Sequence, residues 1–251
     1  MSTTQPPMRV AMISGARRGI GRAIAEHLAA EGWSLSLGLR DHSTGIGNDL
    51  DGTPLAVSET VLHCPYEATD PMAAQAWVDT TLARFGQLDA LIDCAGILRR
   101  VAVDGALTGA DLAAEEADLD ALLATNVKGP WRLSRAAFPA LTRSGHGRII
   151  MLVSMSGKRV RGRLAGYGMS KFAQLALCQA LRNLGWEHGV RVTAICPGFV
   201  QTEMSQEITD MDPALMTQPP DLARLVSMVL GLPNTAAVPE IMVQSQLETM
   251  A

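Results

Sequence analysis

The apolar residues of this chain fall into short continuous runs, separated by longer segments with helical periodicity. Strands are predicted at residues 10–14, 34–39, 60–64, 90–94, 148–153, 191–196 and 238–243. Because these runs are mostly continuous rather than alternating, they are typical of strands buried on both faces. Helices are predicted at residues 20–31, 71–85, 119–144, 167–188 and 221–230. In the first helix, Ile20, Ile24 and Leu28 share one face.

This alternation predicts an α/β fold built from right-handed strand–helix–strand units. The expected architecture is a single-domain, Rossmann-like, doubly wound parallel sheet of about seven strands, with helices on both faces. No linker, composition shift or internal repeat divides the chain. Residues 8–251 are therefore predicted to form one domain, preceded by a flexible N-terminal tail at residues 1–7.

Proline and irregular segments refine this picture. Pro130 and Pro139 predict a bend within the helix at residues 119–144. Asp70 and Pro71 are typical of the N-cap and first position of the helix at residues 71–85. Two irregular segments lie at residues 41–58 and 202–220. The second follows the carboxyl end of a strand, where open α/β sheets bind ligands, so it is either a mobile substrate lid or a surface excursion without function.

Composition and charge exclude several classes of protein. With 21 basic and 25 acidic residues among 251, the net charge of −4 disfavours general nucleic-acid binding. No apolar run approaches the roughly 18 residues that cross a bilayer. The first ten residues lack the pattern of a signal peptide, so we expect a cytoplasmic protein without membrane contact. The widely spaced Cys64, Cys94, Cys178 and Cys196 are expected to be buried apolar residues rather than disulfide partners or metal ligands.

A glycine-rich turn connects the first predicted strand to the first helix. Gly15, Gly19 and Gly21 are spaced as G-x-x-x-G-x-G. The backbone N–H groups and the positive end of the helix dipole favour an anion there, while the missing Cβ atoms allow close approach. At the first turn of an α/β pattern, this spacing indicates a phosphate-binding loop; the alternative is a purely structural turn.

The residues around this turn resemble a known family. The run 14–21, Ser-Gly-Ala-Arg-Arg-Gly-Ile-Gly, is similar to the cofactor loop of the short-chain dehydrogenase/reductase family, in which a threonine usually holds the place of Ser14. Further motifs follow in the family's order, from about residue 8 to residue 247. The resemblance implies that the domain binds a dinucleotide and catalyses oxidation or reduction.

The Tyr167-x-x-x-Lys171 motif places both side chains on one helix face. A tyrosine has a pKa of about 10, and a neighbouring ammonium lowers it toward the range useful for proton transfer. The resemblance implies that Tyr167 is the general acid or base, and that Lys171 lowers its pKa and holds the nicotinamide ribose. Ser154 would bind the substrate oxygen, and Asn126 would order a water for a proton relay. Ser156 is the competing hydroxyl, but the offset of Ser154 matches the family.

The resemblance also implies a set of cofactor contacts and no metal. Asp93 and Cys94 stand where the family has two asparagines, so the surrounding hydrogen bonds are expected to be rearranged. Glu67 stands where an aspartate usually binds adenine. The expected cofactor-binding residues are Gly15, Arg17, Arg18, Gly19, Ile20, Arg40, Glu67, Ala68, Ala95, Gly96, Tyr167, Lys171, Pro197, Gly198, Val200 and Thr202.

The end of the second predicted strand bears on the choice of cofactor. The family's acidic position, which accepts the ribose hydroxyls of NAD, falls on Leu39, and Arg40 takes the basic position of members that prefer NADP. Arg17 and Arg18 can point to the same spot, and guanidinium groups suit a 2′-phosphate. NADP(H) is therefore the preferred cofactor. Asp41 leaves NAD(H) open, because a shift of two residues would put a carboxylate at the ribose.

Several features bear on substrate and partners. Residues 158–163 carry four cations between Ser154 and Tyr167, either to recognise an anionic substrate or carrier or as a solvated or intersubunit loop. Arg132 resembles a position that docks acyl carrier protein in the family's 3-oxoacyl reductases. Specificity is expected in residues 202–220 and around residues 98–107. The resemblance also implies a homo-oligomer, a tetramer or a dimer, formed through the long helices and the last strand.

The leading function is an NADP(H)-dependent oxidoreductase that interconverts a small-molecule carbonyl and an alcohol. The alternative is a non-catalytic dinucleotide-binding redox sensor or regulatory protein. The complete set of four catalytic residues disfavours that alternative, because a sensor needs no proton-transfer groups. Nucleic-acid binding through residues 158–163 is a weaker third class, since no aromatic residues interleave the cations.

Overall fold

The structure is a computed structural model that describes residues 8–40, 53–103, 110–206 and 211–247. Its strands are β1 (Val10–Ser14), β2 (Ser34–Leu39), β3 (Val61–Pro65), β4 (Ala90–Asp93), β5 (Arg148–Leu152), β6 (Arg191–Pro197) and β7 (Glu240–Val243). They form one sheet in the order β3-β2-β1-β4-β5-β6-β7, and each neighbouring pair is parallel. The predicted doubly wound sheet is confirmed.

Helices cover both faces of the sheet, as predicted. They are α1 (Gly19–Ala30), α2 (Ala73–Phe85), α3 (Ala110–Leu123), α4 (Gly129–Ser144), α5 (Ala165–Gly185) and α6 (Pro219–Leu230). One face packs residues of α2, α4 and α5, such as Trp77, Leu133 and Leu175, into a buried layer. The opposite face packs α1 and α6 through residues such as Ile24 and Val226. Strands between two apolar layers must be apolar on both sides, which explains their continuous runs.

The segment before α5 differs from the prediction. The helix begins at Ala110, whereas the sequence predicted a start at residue 119. The earlier start was missed because α3 mixes acidic residues and alanines and has no single apolar face. A π-helical turn, Ala124–Lys128, separates α3 from α4 directly before Pro130. Proline has no N–H to donate to the carbonyl four residues earlier, so the irregularity falls where the chain cannot continue a regular helix.

The predicted N-cap of α2 is wrong. The helix begins at Ala73 after Met72, not at Pro71 after Asp70. The Asp70 carboxylate instead accepts a hydrogen bond from the Met72 backbone N–H at 2.8 Å, which forms a tight turn before the helix. The other helix and strand boundaries shift by at most three residues.

The strand order creates a crevice beside β1. The chain runs from β1 outward to β3 and then returns to place β4 on the other side of β1. At such a switch point, two loops leave the carboxyl ends of neighbouring strands in opposite directions and open a ligand site. The predicted tail at residues 1–7, Asp41 and parts of the segments 41–58, 98–107 and 202–220 lie outside the described residues.

Candidate active site

The glycine turn lies at the carboxyl end of β1 and leads into α1. Gly15 has a φ of +65°, which favours glycine, and a Cβ there would stand 3.1 Å from the backbone of Cys94 and Ala95. A Cβ at Gly21 would come within 2.3 Å of the Gly15 carbonyl oxygen. The loop therefore requires glycine for its own packing and presents the N-terminus of α1 to the crevice.

A cavity of about 750 Å³ opens along this loop. The predicted cofactor residues that line it are Gly15, Arg17, Arg18, Gly19, Ile20, Arg40, Glu67, Ala68, Ala95, Gly96 and Thr202. The other predicted cofactor residues are not among its lining residues; they are Tyr167, Lys171, Pro197, Gly198 and Val200. Val200 is buried and forms a parallel bridge with Thr217, so its side chain belongs to the core under the turn after β6.

Sequence reasoning missed several residues of this cavity. They are Arg22, Gly38, Tyr66, Ile97, Thr125, Glu203 and Met204. Leu39 and Cys94, whose positions the sequence singled out, line the cavity as well. Tyr66 could have been found, because it stands between the end of β3 and Glu67, at the edge of the sheet where ligands bind. Its ring packs against Trp77 with the centroids 4.8 Å apart. Cys94 is half-buried at the cavity wall, whereas Cys64, Cys178 and Cys196 are buried as predicted.

Arg17, Arg18 and Arg40 border the same cavity. Arg18 also forms an ion pair with Glu203, which follows β6. Glu67, the predicted adenine contact, accepts hydrogen bonds from the backbone and the hydroxyl of Thr69 at 3.2 and 3.1 Å. The cavity thus combines the N-terminus of α1, which favours anions, with four guanidinium groups, because Arg22 also lines it.

Ser14 connects the ends of β1 and β4. Its hydroxyl accepts hydrogen bonds from the backbone N–H groups of Cys94 and Ala95 at 3.0 and 2.9 Å and donates to the Asp93 carboxylate. The Ser14 hydroxyl thus makes three hydrogen bonds at this junction, two as acceptor and one as donor. The hydrogen bonds around Asp93 were expected to be rearranged, and in the structure the Asp93 carboxylate accepts a hydrogen bond from the Ser14 hydroxyl.

Asn126 lies in the π-helical turn and is fully buried. Its side-chain oxygen accepts from the Ile97 N–H at 2.9 Å, and its nitrogen donates to the Ile97 carbonyl at 2.9 Å and to the Ser170 hydroxyl at 3.1 Å. The side chain therefore ties the loop after β4 to α5. The Asn126 side-chain oxygen would lie 3.3 Å from a Cβ at Gly96.

Tyr167 lies at the start of α5 in a small apolar cluster with Val101 and Leu122. Burial raises the pKa of Tyr167 to about 12, and a hydrogen bond with the Ser154 side chain opposes this rise. The sequence predicts a lowered pKa through Lys171. The structure differs because the apolar cluster penalises the phenolate and the ammonium lies 5.7 Å from the ring centroid.

Lys171 is buried on the same helix, with 5% of its surface exposed. Its ammonium donates to the Leu152 carbonyl at 3.1 Å and to the Gln174 side chain at 2.8 Å. Burial lowers the pKa of Lys171 to about 8, and the Asp93 carboxylate opposes the decrease. Gln174 was missed in the sequence because its position on the buried face of α5 is apparent only in three dimensions.

The two candidate serines differ in their surroundings. Ser154 is half-buried and forms the hydrogen bond with Tyr167, and its hydroxyl also accepts from the Ser156 N–H at 3.0 Å. Ser156 is buried, with 8% of its surface exposed. The contact to Tyr167 favours Ser154 as the hydroxyl of the site.

Two of the four cations at residues 158–163 form ion pairs with acidic residues. Lys158 forms an ion pair with Glu240 of β7 at 2.7 Å, and Arg163 pairs with Glu115 of α3 at 3.8 Å. Arg132 donates to the carbonyls of residues 68 and 69 at 3.3 and 3.2 Å. These contacts favour a structural role for Lys158 and Arg163 over recognition of an anionic ligand.

Comparison with known proteins identifies the family. A family profile described as short chain dehydrogenase matches residues 9–213. The chain is 36% identical over 246 residues to agropine synthesis reductase of Rhizobium rhizogenes, which covers 96% of this chain and 53% of that protein. The chain belongs to the short-chain dehydrogenase family. This short-chain dehydrogenase spans about half the length of the agropine synthesis reductases that it matches.

Two further relatives match most of their own length. 3-oxoacyl-[acyl-carrier-protein] reductase FabG of Escherichia coli is 30% identical over 202 residues, 80% of this chain and 78% of that protein. An alcohol dehydrogenase from the archaeon Thermococcus sibiricus, solved with 5-hydroxy-NADP, is 26% identical with a TM-score of 0.80 and covers 96% of this chain and 99% of that one. Both of these proteins are thus named as oxidoreductases, one as a reductase and one as an alcohol dehydrogenase. No helix in the described residues is long and apolar enough to cross a membrane.

Proposed function

We propose that this short-chain dehydrogenase is an NADP(H)-dependent oxidoreductase that interconverts a carbonyl and an alcohol. The observation that carries the proposal is the hydrogen bond between Tyr167 and Ser154, in a site where Lys171 and Asn126 also approach the loop after β4. A bound nicotinamide cofactor supplies or accepts the hydride. The chain's own residues then have to position the substrate oxygen and move one proton.

The cavity at the glycine loop fits a dinucleotide. Its volume of about 750 Å³ lies within the usual size of cofactor sites. The close contacts that a Cβ would make at Gly15 and Gly21 show how tightly this turn folds under the N-terminus of α1, where a pyrophosphate would meet backbone N–H groups. Ala95 and Gly96 would face the ribose, and Thr202 would hold the pyrophosphate or the carboxamide.

Tyr167 is proposed as the general acid in reduction and the general base in oxidation. With a pKa raised to about 12, the phenol keeps its proton at neutral pH and can donate it to the developing alkoxide. Ser154 would donate a hydrogen bond to the same oxygen. Lys171 would bind the nicotinamide ribose and favour the phenolate once the tyrosine has given up its proton.

Asn126 is proposed as the residue that orders a water for the proton relay. Its side chain is held on both sides, by Ile97 and by Ser170, and so cannot turn toward the substrate without breaking three hydrogen bonds. The side chain therefore fixes the π-helical turn. The relay is proposed to use the backbone and water next to this turn.

The preference for NADP(H) is proposed from three guanidinium groups. Arg17, Arg18 and Arg40 border one cavity, and a 2′-phosphate dianion would gain charge-assisted hydrogen bonds from such a group. Leu39, at the family's acidic position, is 1% exposed and offers no carboxylate to ribose hydroxyls. NAD(H) remains the competing cofactor for the experiment to test.

The substrate is proposed to be a small carbonyl or alcohol. Tyr167 contacts Val101 and Leu122, and the neighbouring Leu98 packs against the same cluster, so the described wall beside the hydroxyl is apolar. Lys158 and Arg163 already have acidic partners. An uncharged, partly apolar substrate therefore fits this side of the site better than an anionic carrier.

A substrate panel tests the proposed function. Purified protein is incubated with NADPH or NADH and a series of aldehydes, ketones and 3-oxo esters, and absorbance at the nicotinamide band is followed. The expected result is carbonyl-dependent oxidation of NADPH that exceeds NADH oxidation by about tenfold or more, as charge-assisted contacts to a 2′-phosphate allow. The alternative, a redox sensor, predicts tight cofactor binding and no turnover with any carbonyl or alcohol.

The same enzyme is proposed to form a homo-oligomer through α4 and α5. Trp131 of α4 and Phe172 of α5 are 48% and 45% exposed, and Leu184 is 60% exposed. Large apolar side chains grouped on two neighbouring helices are typical of a surface that another chain covers. Light scattering on wild type and Trp131→Glu is expected to show a tetramer or dimer that dissociates in the variant.

A further inference from the structure

Asp93 is a buried carboxylate at the end of β4, with 2% of its surface exposed. One oxygen accepts a hydrogen bond from the Ser14 hydroxyl, whereas the other, Oδ2, has no hydrogen-bond partner among the described residues. A buried carboxylate oxygen without a partner is costly, so a nearby positive charge is the usual reason for keeping it.

Lys171 supplies a positive charge on the same side of the sheet. Asp93 and Leu91 are two positions apart on β4, so their side chains lie on the same face of the sheet. Leu91 belongs to the buried layer that also contains residues of α5. In the register of β4 and β5, Asp93 lies opposite Met151. The carbonyl of the next residue, Leu152, accepts a hydrogen bond from the Lys171 ammonium. The ammonium and the carboxylate therefore lie at the carboxyl ends of adjacent strands, under the same face of α5.

The hydrogen bonds of Lys171 do not balance its charge. Its acceptors, the Leu152 carbonyl and the Gln174 amide, are both neutral. Lys171 and Asp93 are each almost fully buried, so water screens the interaction between them only weakly. The carboxylate is thus the group that can compensate the buried ammonium.

We propose that Asp93 is the counter-ion that keeps the buried Lys171 side chain charged, and that it is therefore a positioning residue for catalysis. The catalytic consequence rests on the proposed function, whereas the electrostatic pairing does not. The residue that the family usually has here, an asparagine, carries no charge. The proposal therefore concerns a position where this chain departs from the usual pattern of the family.

The other titratable groups that face this pair are neutral near pH 7. They are Tyr66, Tyr167, Cys94, Cys178 and Cys196, on the loops and elements packed around Lys171 and Asp93. Burial raises the pKa of each of these groups. Burial also raises the pKa of Asp93, but the Ser14 hydrogen bond and the Lys171 charge oppose that rise. Asp93 is accordingly the acidic group of this cluster that can supply a negative charge opposite Lys171.

The scarcity of lysine makes a direct test practical. The chain has three lysines, Lys128, Lys158 and Lys171. Protein labelled with [13Cε]-lysine gives one signal for each, and the variants Lys128→Arg and Lys158→Arg assign them without touching Lys171. The pKa of each lysine is then measured by pH titration of the cofactor-free enzyme.

Asp93→Asn removes the charge while keeping the size of the side chain. The pKa of Lys171 is expected to fall by about one unit, as for the loss of a nearby opposite charge, while Lys128 and Lys158 titrate as before. Asp93→Glu retains the carboxylate and is expected to keep the wild-type value within about 0.3 unit. An unchanged Lys171 titration in folded Asp93→Asn would overturn the proposal.

Asp89→Asn is the matched control, because it removes the same charge at the opposite end of the same strand. Asp89 accepts hydrogen bonds from the Val10 N–H and the Gln87 amide, both at 2.8 Å, and lies one strand length from Lys171. Its replacement is expected to leave the Lys171 pKa unchanged, and an equal fall in both variants contradicts a specific pair. Should Asp93→Asn not fold, the wild-type titration decides: a Lys171 deprotonated by pH 7 contradicts the proposal, and one that stays protonated to about pH 8 supports it.

The catalytic consequence is read from the pH profile of NADPH-dependent reduction. A lower pKa of Lys171 means that its ammonium loses the proton at lower pH. The alkaline limb of the kcat profile of Asp93→Asn is therefore expected to shift to lower pH by the same amount as the lysine titration. Asp89→Asn should leave this limb in place. Absence of turnover in wild type refutes the proposed function but leaves the lysine titration to decide the pairing. A shifted titration with an unshifted limb shows that Asp93 does not act in catalysis.

Discussion

Arg18 of the glycine loop and Glu203 of the turn after β6 form an ion pair across the cavity that we assign to the cofactor. The two residues are 185 positions apart in the chain. Both side chains are more than half exposed, so the pair contributes little to stability. If the proposed NADP(H) preference holds, its consequence is functional, because Glu203 occupies a guanidinium that a 2′-phosphate would need.

Glu203→Gln is therefore expected to strengthen NADPH binding. Removing an exposed carboxylate that competes for Arg18 should lower the Kd for NADPH about two- to fivefold, and leave the Kd for NADH unchanged. Fluorescence titration with both cofactors measures this. Glu59→Gln, which removes an exposed charge away from the cavity, is the control and should change neither constant; equal gains for both cofactors would refute the competition.

Arg40→Asp is expected to shift the enzyme toward NADH. The substitution replaces a cation that lines the cavity after β2, where we propose that the ribose binds, by an acceptor for ribose hydroxyls. We expect kcat/KM with NADPH to fall about 10- to 100-fold, the loss of a charge-assisted contact, and the value with NADH to rise. Arg40→Leu should lose the NADPH preference without gaining NADH activity. An unchanged NADPH preference in Arg40→Asp contradicts the assignment of this residue.

Ser14→Ala is expected to destabilise the junction of β1 and β4. The change leaves two backbone N–H groups, of Cys94 and Ala95, without their acceptor and should cost about 2–4 kcal/mol of unfolding free energy. Urea denaturation measures the difference. Ser34→Ala is the matched control, since the buried Ser34 hydroxyl has no hydrogen-bond partner among the described residues and its loss should be nearly neutral. Equal effects of the two substitutions would contradict the role of Ser14.

The two directions of the reaction are expected to respond differently to pH. Because burial raises the pKa of Tyr167 to about 12, the phenol is protonated throughout the neutral range and carbonyl reduction should be nearly constant from pH 6 to about 7.5. Alcohol oxidation needs the phenolate, so its rate should rise about tenfold per pH unit over the same range. Initial rates at saturating cofactor measure both. A plateau of the oxidation rate below pH 7 would show that the tyrosine ionises more easily in the loaded enzyme.

The fold was predictable because its signal is local. Continuous apolar runs such as that of β1 can be buried on both faces only in a sheet covered by two helical layers, and all the predicted strands are present among the described residues. The start of α3 was missed because its acidic residues and alanines mark no apolar face. The capping of α2 was misplaced because Asp70 forms a turn of its own before the helix.

The site was predictable only in part. Sequence spacing brought Ser154, Tyr167 and Lys171 together, but it could not show that Val101 and Leu122 bury the tyrosine and so raise its pKa. Contacts such as Arg18 with Glu203, or Lys171 with Gln174, depend on which elements meet in the fold. Spacing along the chain carries no information about those meetings.

The rate of NADPH oxidation by Tyr167→Phe tests the central claim most directly. The substitution removes one hydroxyl from a residue packed in an apolar cluster, so the fold and NADPH binding should be preserved, with a Kd within about twofold of wild type. Carbonyl reduction should fall about 10²- to 10⁴-fold, the usual contribution of a positioned general acid. Turnover at the wild-type rate by Tyr167→Phe, with NADPH bound, would contradict the account.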